Sequence, residues 1–175
     1  PVFVPELVSL GNGDVLGNNN SDAAAVSANG DIVAFTSEAS NLVPGDTNNA
    51  NDVFVRDLTN GVTRLVSAGV DGSVGNGASH SATMTPDGRY VAFVSAASNL
   101  VLDDTNGIPD VFIHDLQGGS NILVSVGAVS AGAVLGYMTS SSESPDITSD
   151  GRYVAFFSTA TNLVPGGQTV AEVYV

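Results

Sequence analysis

The sequence predicts an all-β chain assembled from repeated four-stranded antiparallel units. Three observations carry that expectation: a long internal repeat, short apolar segments punctuated by Gly- and Asp-rich turns, and no segment with the 3.6-residue period of an amphipathic helix. Residues 7–58 align without a gap on residues 65–116, at a constant spacing of 58, and half of the aligned positions are identical. The shared pattern is Leu-Val-Ser from Leu7 and Leu65, Gly-Asn from Gly17 and Gly75, and Val-Ala-Phe from Val33 and Val91. It continues with Ser-Asn-Leu-Val from Ser40 and Ser98, Asp-Thr-Asn from Asp46 and Asp104, and Asp-Val-Phe from Asp52 and Asp110. A third copy opens with Leu-Val-Ser at Leu123, but its Asp150 lies 63 residues after Asp87. Five residues therefore read as inserted between Ser125 and Ser142, in a stretch carrying Tyr137 and Met138. In that copy Gly166, Gly167, Gln168 and Thr169 stand where Asp-Thr-Asn is expected.

The second copy justifies each strand in turn. Ser81 to Thr85 alternates and runs into the turn signal Pro86-Asp87-Gly88, so it is strand A, and Arg89 to Ser95 is strand B of the same hairpin. After a loop of roughly a dozen residues, long for a hairpin connection, Asp110 to Leu116 forms strand C. Gly118-Gly119 then turns the chain into strand D, Ile122 to Ser125. Even the Ala23-Ala24-Ala25 run sits among Asn, Ser and Gly, which do not sustain a helix. By the same pattern the units are residues 21–67, 79–125 and 142–175, the last without its fourth strand, and Glu6 to Ser9 within residues 1–9 is an orphan strand D.

A four-stranded sheet exposes an apolar face until a neighbour covers it, so such units at a fixed period are propeller blades. A β-helix is the structural rival, but its coils are far shorter than this period. Three blades do not close a ring, since propellers have about four to eight, so the expectation is an incomplete ring or half of a six-bladed one. The recurring phenylalanines Phe35, Phe93 and Phe156, with Phe54 and Phe112, are read as the core between blades.

The blocks Thr85-Pro86-Asp87-Gly88-Arg89-Tyr90-Val91-Ala92-Phe93 and Ser149-Asp150-Gly151-Arg152-Tyr153-Val154-Ala155-Phe156 resemble the WD40-like (PD40), TolB-type propeller repeat family of bacterial envelope and secreted proteins. The first copy departs from it, with Asn29-Gly30-Asp31-Ile32 in place of the Asp-Gly-Arg-Tyr block. The resemblance covers nearly the whole chain. It implies a propeller fold and an extracellular, cell-surface or periplasmic location, while the same blade serves many binding roles.

Charge narrows the partners. Four basic against 18 acidic side chains give a formal charge of -14 with no lysine, which repels phosphate backbones and anionic headgroups, so nucleic acid is excluded as a partner. No run of about 18 apolar residues offers a membrane span. The chain carries no recognisable signal peptide and reads as a mature or excised segment. With no cysteine there is neither a disulfide framework nor thiolate chemistry.

The acids are 14 Asp against 4 Glu, which suits turns and hard cations alike. Asp46-Thr47-Asn48 followed by Asp52, and Asp104-Thr105-Asn106 followed by Asp110, place oxygen-bearing side chains at the first, third and seventh positions of a loop. Asp46, Asn48 and Asp52, with Asp104, Asn106 and Asp110, are therefore candidate calcium ligands. The competing reading is that they form Asx-turns that order a long loop. Glu172 replaces the last Asp in the third copy, but the other ligands are absent and no third site is expected.

Enzyme readings find little support. The two histidines, His80 and His114, lie on strands, no Gly-x-Ser-x-Gly elbow is present, and the carboxylate pairs repeat with the blades rather than occurring once. The expected function is a non-catalytic propeller module that binds protein, itself or a larger assembly, by strand exchange. The expected partner contacts are Leu7 and Val8 at one end, Val173 and Val175 at the other, and Tyr137 and Met138 in the insertion. The alternatives are a calcium-dependent propeller binding glycan or protein and, lower in order, a polysaccharide hydrolase or lyase fragment.

Overall fold

The structure, a computed structural model, describes residues 4–128, 142–160, 162–165 and 172–175. After a short hairpin of β1 (Leu10–Gly11) and β2 (Val15–Leu16) come three antiparallel sheets. The first blade is β3 (Ser21–Val26), β4 (Ile32–Ser37), β5 (Asp52–Asp57) and β6 (Val62–Leu65), in that spatial order. The second is β7 (Ser79–Met84), β8 (Tyr90–Ser95), β9 (Asp110–Asp115) and β10 (Ser120–Leu123). The third pairs β11 (Ser142–Ile147), β12 (Val154–Ser158) and β13 (Glu172–Tyr174). The strands of each sheet thus lie side by side in sequence order, A to D in the first two and A to C in the third, the meander of a propeller blade.

In the first two blades strands B and C are apolar runs, not alternating ones, because both of their faces are covered. In β8, Val91 and Phe93 point toward the first blade, where they join Ala34, Val53 and Val55. Ala92 and Val94 point the other way and meet Ile147, Val154 and Phe156 of the third blade. Opposed ring pairs mark the same register in each sheet: Phe35 with Phe54 and Phe93 with Phe112 at 5.8 Å, Phe156 with Tyr174 at 5.6 Å.

Strand A is the irregular one. Its pairing with strand B slips between Asp22 and Ala25 and again between His80 and Thr83. Ala23 and Ser81 absorb the slip at φ of 49° and 56°, an uncommon left-handed setting for such residues and the mark of a bulge. The turn after it is built from side chains. Asp87 Oδ1 accepts from the Thr85 hydroxyl at 2.6 Å and from the Arg89 N–H at 3.0 Å, with Gly88 at φ 71°. Thr148 and Asp150 repeat the arrangement. Arg89 then reaches across to strand C, donating to both oxygens of Asp115 at 3.2 and 2.9 Å while lying over the Tyr90 ring. Asp115 is half-buried and held down to about 2 by Arg89 and the Gln117 and Gly118 N–H groups.

Two local expectations differ from the structure. Residues 4–9 contain no strand: Leu7 and Val8 lie in irregular backbone, and the first pairing begins at Leu10. A strand D takes its ladder bonds from the strand C before it, and among the described residues no strand C precedes Leu7. The second difference concerns the inserted five residues. Asn48 donates to the Gly75 carbonyl and Asn106 to that of Ala128, and Gly75 and Ala128 both bond back to the serines, Ser67 and Ser125. Ala128 is therefore the counterpart of Gly75. Ser67 reaches Gly75 in eight residues by way of an Ala68–Val74 bridge, whereas Ser125 reaches Ala128 in three. The step from Ser125 to Ala128 leaves no room for that small hairpin, and the run that follows is longer, fourteen residues from Ala128 to Ser142 against four from Gly75 to Ser79. The net difference of five hides both changes.

The first such hairpin, β1–β2, is anchored by a buried cation. Arg56 is 4% exposed on β5 and donates to the Gly11 carbonyl, the Thr63 hydroxyl and, at 2.6 Å, Asp14. Asn12 and Thr63 exchange a further pair of bonds at 3.1 and 2.9 Å. Replacing Arg56 by alanine removes a charge-assisted network from a dry site. The expected loss is about 2–4 kcal/mol in urea unfolding, against no more than about 0.5 kcal/mol for the exposed Arg64→Ala.

Candidate functional site

The D–A connections and the B–C loops meet at one end of the blades, and the repeated polar motifs are what joins them. In the first repeat Asn18 donates from its side chain to Ser40 Oγ at 3.0 Å and accepts the Ser40 N–H at 2.9 Å, while Asn41 Oδ1 accepts the Asn18 N–H. Asn76, Ser98 and Asn99 repeat all three bonds in the second. Glycine is required beside them: a Cβ on Gly75 would meet the Ser67 carbonyl oxygen at 2.9 Å.

Below this lies the network of the Asp-Thr-Asn loops. The Asn48 amide nitrogen donates to Asp52 Oδ2 and to the Gly75 carbonyl, each at 2.8 Å, and its oxygen accepts the Ala50 N–H at 2.9 Å. The other oxygen of Asp52 accepts the Ser67 hydroxyl at 2.7 Å, and Ser67 in turn accepts the Val53 N–H. Asn106, Asp110, Ser125 and Val111 make the matching bonds in the second blade. One buried carboxylate thus ties the start of strand C to the B–C loop, to the end of strand D and to the next blade's entry.

Burial sets the acidity of this network. Asp52 is fully buried and pushed up to about 6, chiefly by desolvation, with the charge of Asp46 adding to it and the Ser67 and Asn48 bonds opposing it. Burial likewise raises Asp110, Asp46 and Asp104, the last two receiving a backbone N–H from Asn48 and Asn106. The six calcium candidates are therefore gathered, three to a loop, but Asn48 and Asn106 present their N–H groups to Asp52 and Asp110. Among the described residues no group of three or more acidic or histidine side chains is arranged to hold a metal ion.

The expected partner contacts are distributed differently. Leu7 is exposed and Val8 half-buried against the first blade; Val173 and Val175 are 74% and 88% exposed on the last strand. Tyr137 and Met138 lie outside the described residues. One feature escaped the sequence reading. A polar cleft of about 380 Å³ opens on the first blade's loop face, lined among others by Asn18, Asn19, Glu38, Asp46 and Asn49. Its signal was present as departures from the repeat: Asn19, Glu38, Asn49 and Asn51 correspond to Gly77, Ala96, Gly107 and Pro109.

No protein-family model and no curated protein matches the chain. Solved structures do. TolB from Acinetobacter baumannii superposes with a TM-score of 0.51 at 17% identity, over 89% of this chain and 29% of its own. The putative TolB from Agrobacterium tumefaciens gives 0.53 at 17% identity, over 82% and 40%. The tricorn protease gives 0.52 at 13% identity, over 88% of this chain but 13% of that one. The fold is that of a β-propeller segment. This segment spans less than half the length of each of these structures.

The propeller's loop network has a pH signature. A folded-state pKa raised above the unfolded value means that the folded chain binds the proton more tightly, so stability is gained as pH falls through the folded pKa and lost as it rises. For Asp52 that window runs from about 6 down to the unfolded value near 3.8. Thermal stability is expected to rise when pH is lowered from 7 to about 5 and to fall again only below the unfolded carboxylate range, where Asp115 and other stabilised acids are protonated. Asp52→Asn should flatten the upper limb; an equal slope in that variant would refute the assignment.

Proposed function

We propose that this propeller segment is a non-catalytic binding and assembly module, acting outside the cytoplasm, whose third-blade face is covered by a further blade. One observation carries the reading. In the second blade Val94 and Val111 are completely buried by the third. Their counterparts by strand pairing are Phe157 and Val173, which are 37% and 74% exposed. An apolar face of that kind is what the preceding blades bury in each case, and β13 offers the outer edge to which a strand D adds. A second copy of the chain, or further blades of a larger assembly, would supply both.

The absence of catalysis in this proposal is supported by what the histidines do. His114 is buried, with its Nδ1 at 2.8 Å from Asn121 Oδ1 and its pKa lowered by burial, and Asn121 goes on to bond the Ala68 carbonyl. His80 Nδ1 pairs with its sequence neighbour Ser81 at 2.9 Å. His114 thus joins strand C to strand D, and His80 contacts only its own strand.

Phe157→Ser with Val173→Ser tests the assembly. Native mass measurement should show a closed oligomer for the parent and a monomer for the double variant, with the monomer's own unfolding changed by no more than about 1 kcal/mol, since these side chains are exposed within the chain. A parent that stays monomeric with the same mass as the variant would overturn self-closure.

A second reading, calcium at the two loops serving glycan or protein binding, is supported by the proximity of two buried carboxylates in each, Asp46 helping to raise the pKa of Asp52 and Asp104 that of Asp110. It requires Asn48 and Asn106 to turn their amide oxygens toward the aspartates. Under this reading millimolar calcium raises the melting temperature and Asp46→Asn with Asp104→Asn abolishes the rise; an unchanged melting curve in calcium and in chelator dismisses it.

A further inference from the structure

We propose that the polar cleft on the first blade is a receptor for an arginine side chain presented by a protein partner. The proposal rests on the protein-binding reading above and adds the chemistry of the contact.

The cleft departs from the repeat where its lining is chemically active. Asn18, Ser40 and Asp46 recur as Asn76, Ser98 and Asp104, and the first two of each set are consumed in bonds between connection and loop. Glu38, Asn19, Asn49 and Asn51 do not recur. The second blade folds the same loops with Ala96, Gly77, Gly107 and Pro109, so the backbone does not need these polar groups. Asn49 even occupies a left-handed φ of 54° where Gly107 sits at 69°, a setting that glycine adopts without cost.

The lining sets two carboxylates, Asp46 and Glu38, among asparagine amides. Asp46 is 7% exposed and lines the cleft; its carboxylate receives one backbone N–H, from Asn48, and no cationic group. Glu38 is exposed and adds a second carboxylate. None of the four arginines lines the cleft, and Arg56 and Arg89 are committed to Asp14 and Asp115. A buried carboxylate without a counter-charge is costly, and a cation that enters the cleft relieves that cost. Two carboxylates and the amide oxygens around them outnumber the three donors of an ammonium group, whereas a guanidinium brings five in a planar fork. A volume of 380 Å³ holds about a dozen waters, room for a guanidinium and its alkyl stem with some solvent retained. No aromatic side chain lines the cleft, so the stacking platform that a sugar ring would use is missing. Arginine is also among the side chains that most often anchor protein interfaces.

The test uses the intact chain and small probes: N-acetyl-arginine amide, its neutral isostere N-acetyl-citrulline amide, and calcium chloride. Backbone and side-chain amide signals of Asn19, Asn49 and Asn51 should shift and saturate with the arginine probe in the millimolar range and stay in place with the citrulline probe. Glu38→Ala and Asn49→Gly carry the residues of the second blade, so they keep the fold, and Glu38→Ala should weaken the arginine probe by about fivefold, the size of a single partly exposed ion pair. No saturable shift with the arginine probe, equal shifts with the citrulline probe, an undiminished affinity in Glu38→Ala, or displacement of the arginine probe by equimolar calcium would each overturn the proposal. Because the probes need no further blade, a negative result here leaves the assembly reading standing, and a monomeric parent leaves the arginine result interpretable.

Discussion

Everything in this chain depends on one contact, the face-to-face burial of one sheet's strands B and C against the next. A single blade of four short strands has too little apolar area to outweigh the entropy of ordering it. Stacking solves this by giving a central strand with a neighbour on each side two dry faces, which is why Val91 to Val94 are all fully buried although only alternate residues share a neighbour. The repeat length is then the length of chain needed to make one such slab and climb to the next. The aromatic pairs keep one geometry in three sheets because each joins strand B to strand C at the same register.

Slabs that only stack would slide, and the polar motifs prevent it. Asp52 and Asp110 are buried carboxylates at the mouth of strand C, each holding a serine from strand D and an asparagine from the B–C loop, and through that asparagine a carbonyl of the chain entering the next blade. Such a network is worth little as net hydrogen-bond energy, since water would serve the same groups in the unfolded chain. Its value is directional. An unmatched register would leave a carboxylate dry and unpaired, so the loops have one acceptable arrangement.

This division explains what was legible in the sequence. The strands and the blade class follow from periodicity and from the fact that each copy supplies an independent reading of the same slab. The Asp-Thr-Asn spacing was equally visible, but its meaning turned on which end of the Asn48 amide faces Asp52, and an amide's orientation leaves no trace in residue order. The orphan strand is not legible in one chain for a related reason. Glu6 to Ser9 has strand D chemistry, yet a strand is a property of a pair, and among the described residues no strand C precedes it to pair with. Offset counting also concealed the third connection, because a shorter step to Ala128 and a longer run after it combine into a modest net shift. The cross-loop bonds from Asn106 and Asn162 to Ala128 and Gly127 are what separate them.

A repeat protein lets structure and function be told apart by an internal comparison. A residue present at the same place in two blades answers a need that both blades share, and that need is packing or loop closure. Where one blade departs and the other still folds, the departure is free of that need and has to be accounted for by something the blades do not share. Arg56 and His114 show the structural form of such a departure: both reach from strand C to strand D, but only Arg56 must anchor a hairpin carrying Asp14. The cluster of Glu38, Asn19, Asn49 and Asn51 shows the other form. These four sit on the surface at one cleft and hold no loop that the second blade cannot hold with alanine, glycine and proline. Polar side chains gathered around a buried carboxylate, at a spot where the fold does not require them, are where a partner's charge would be met.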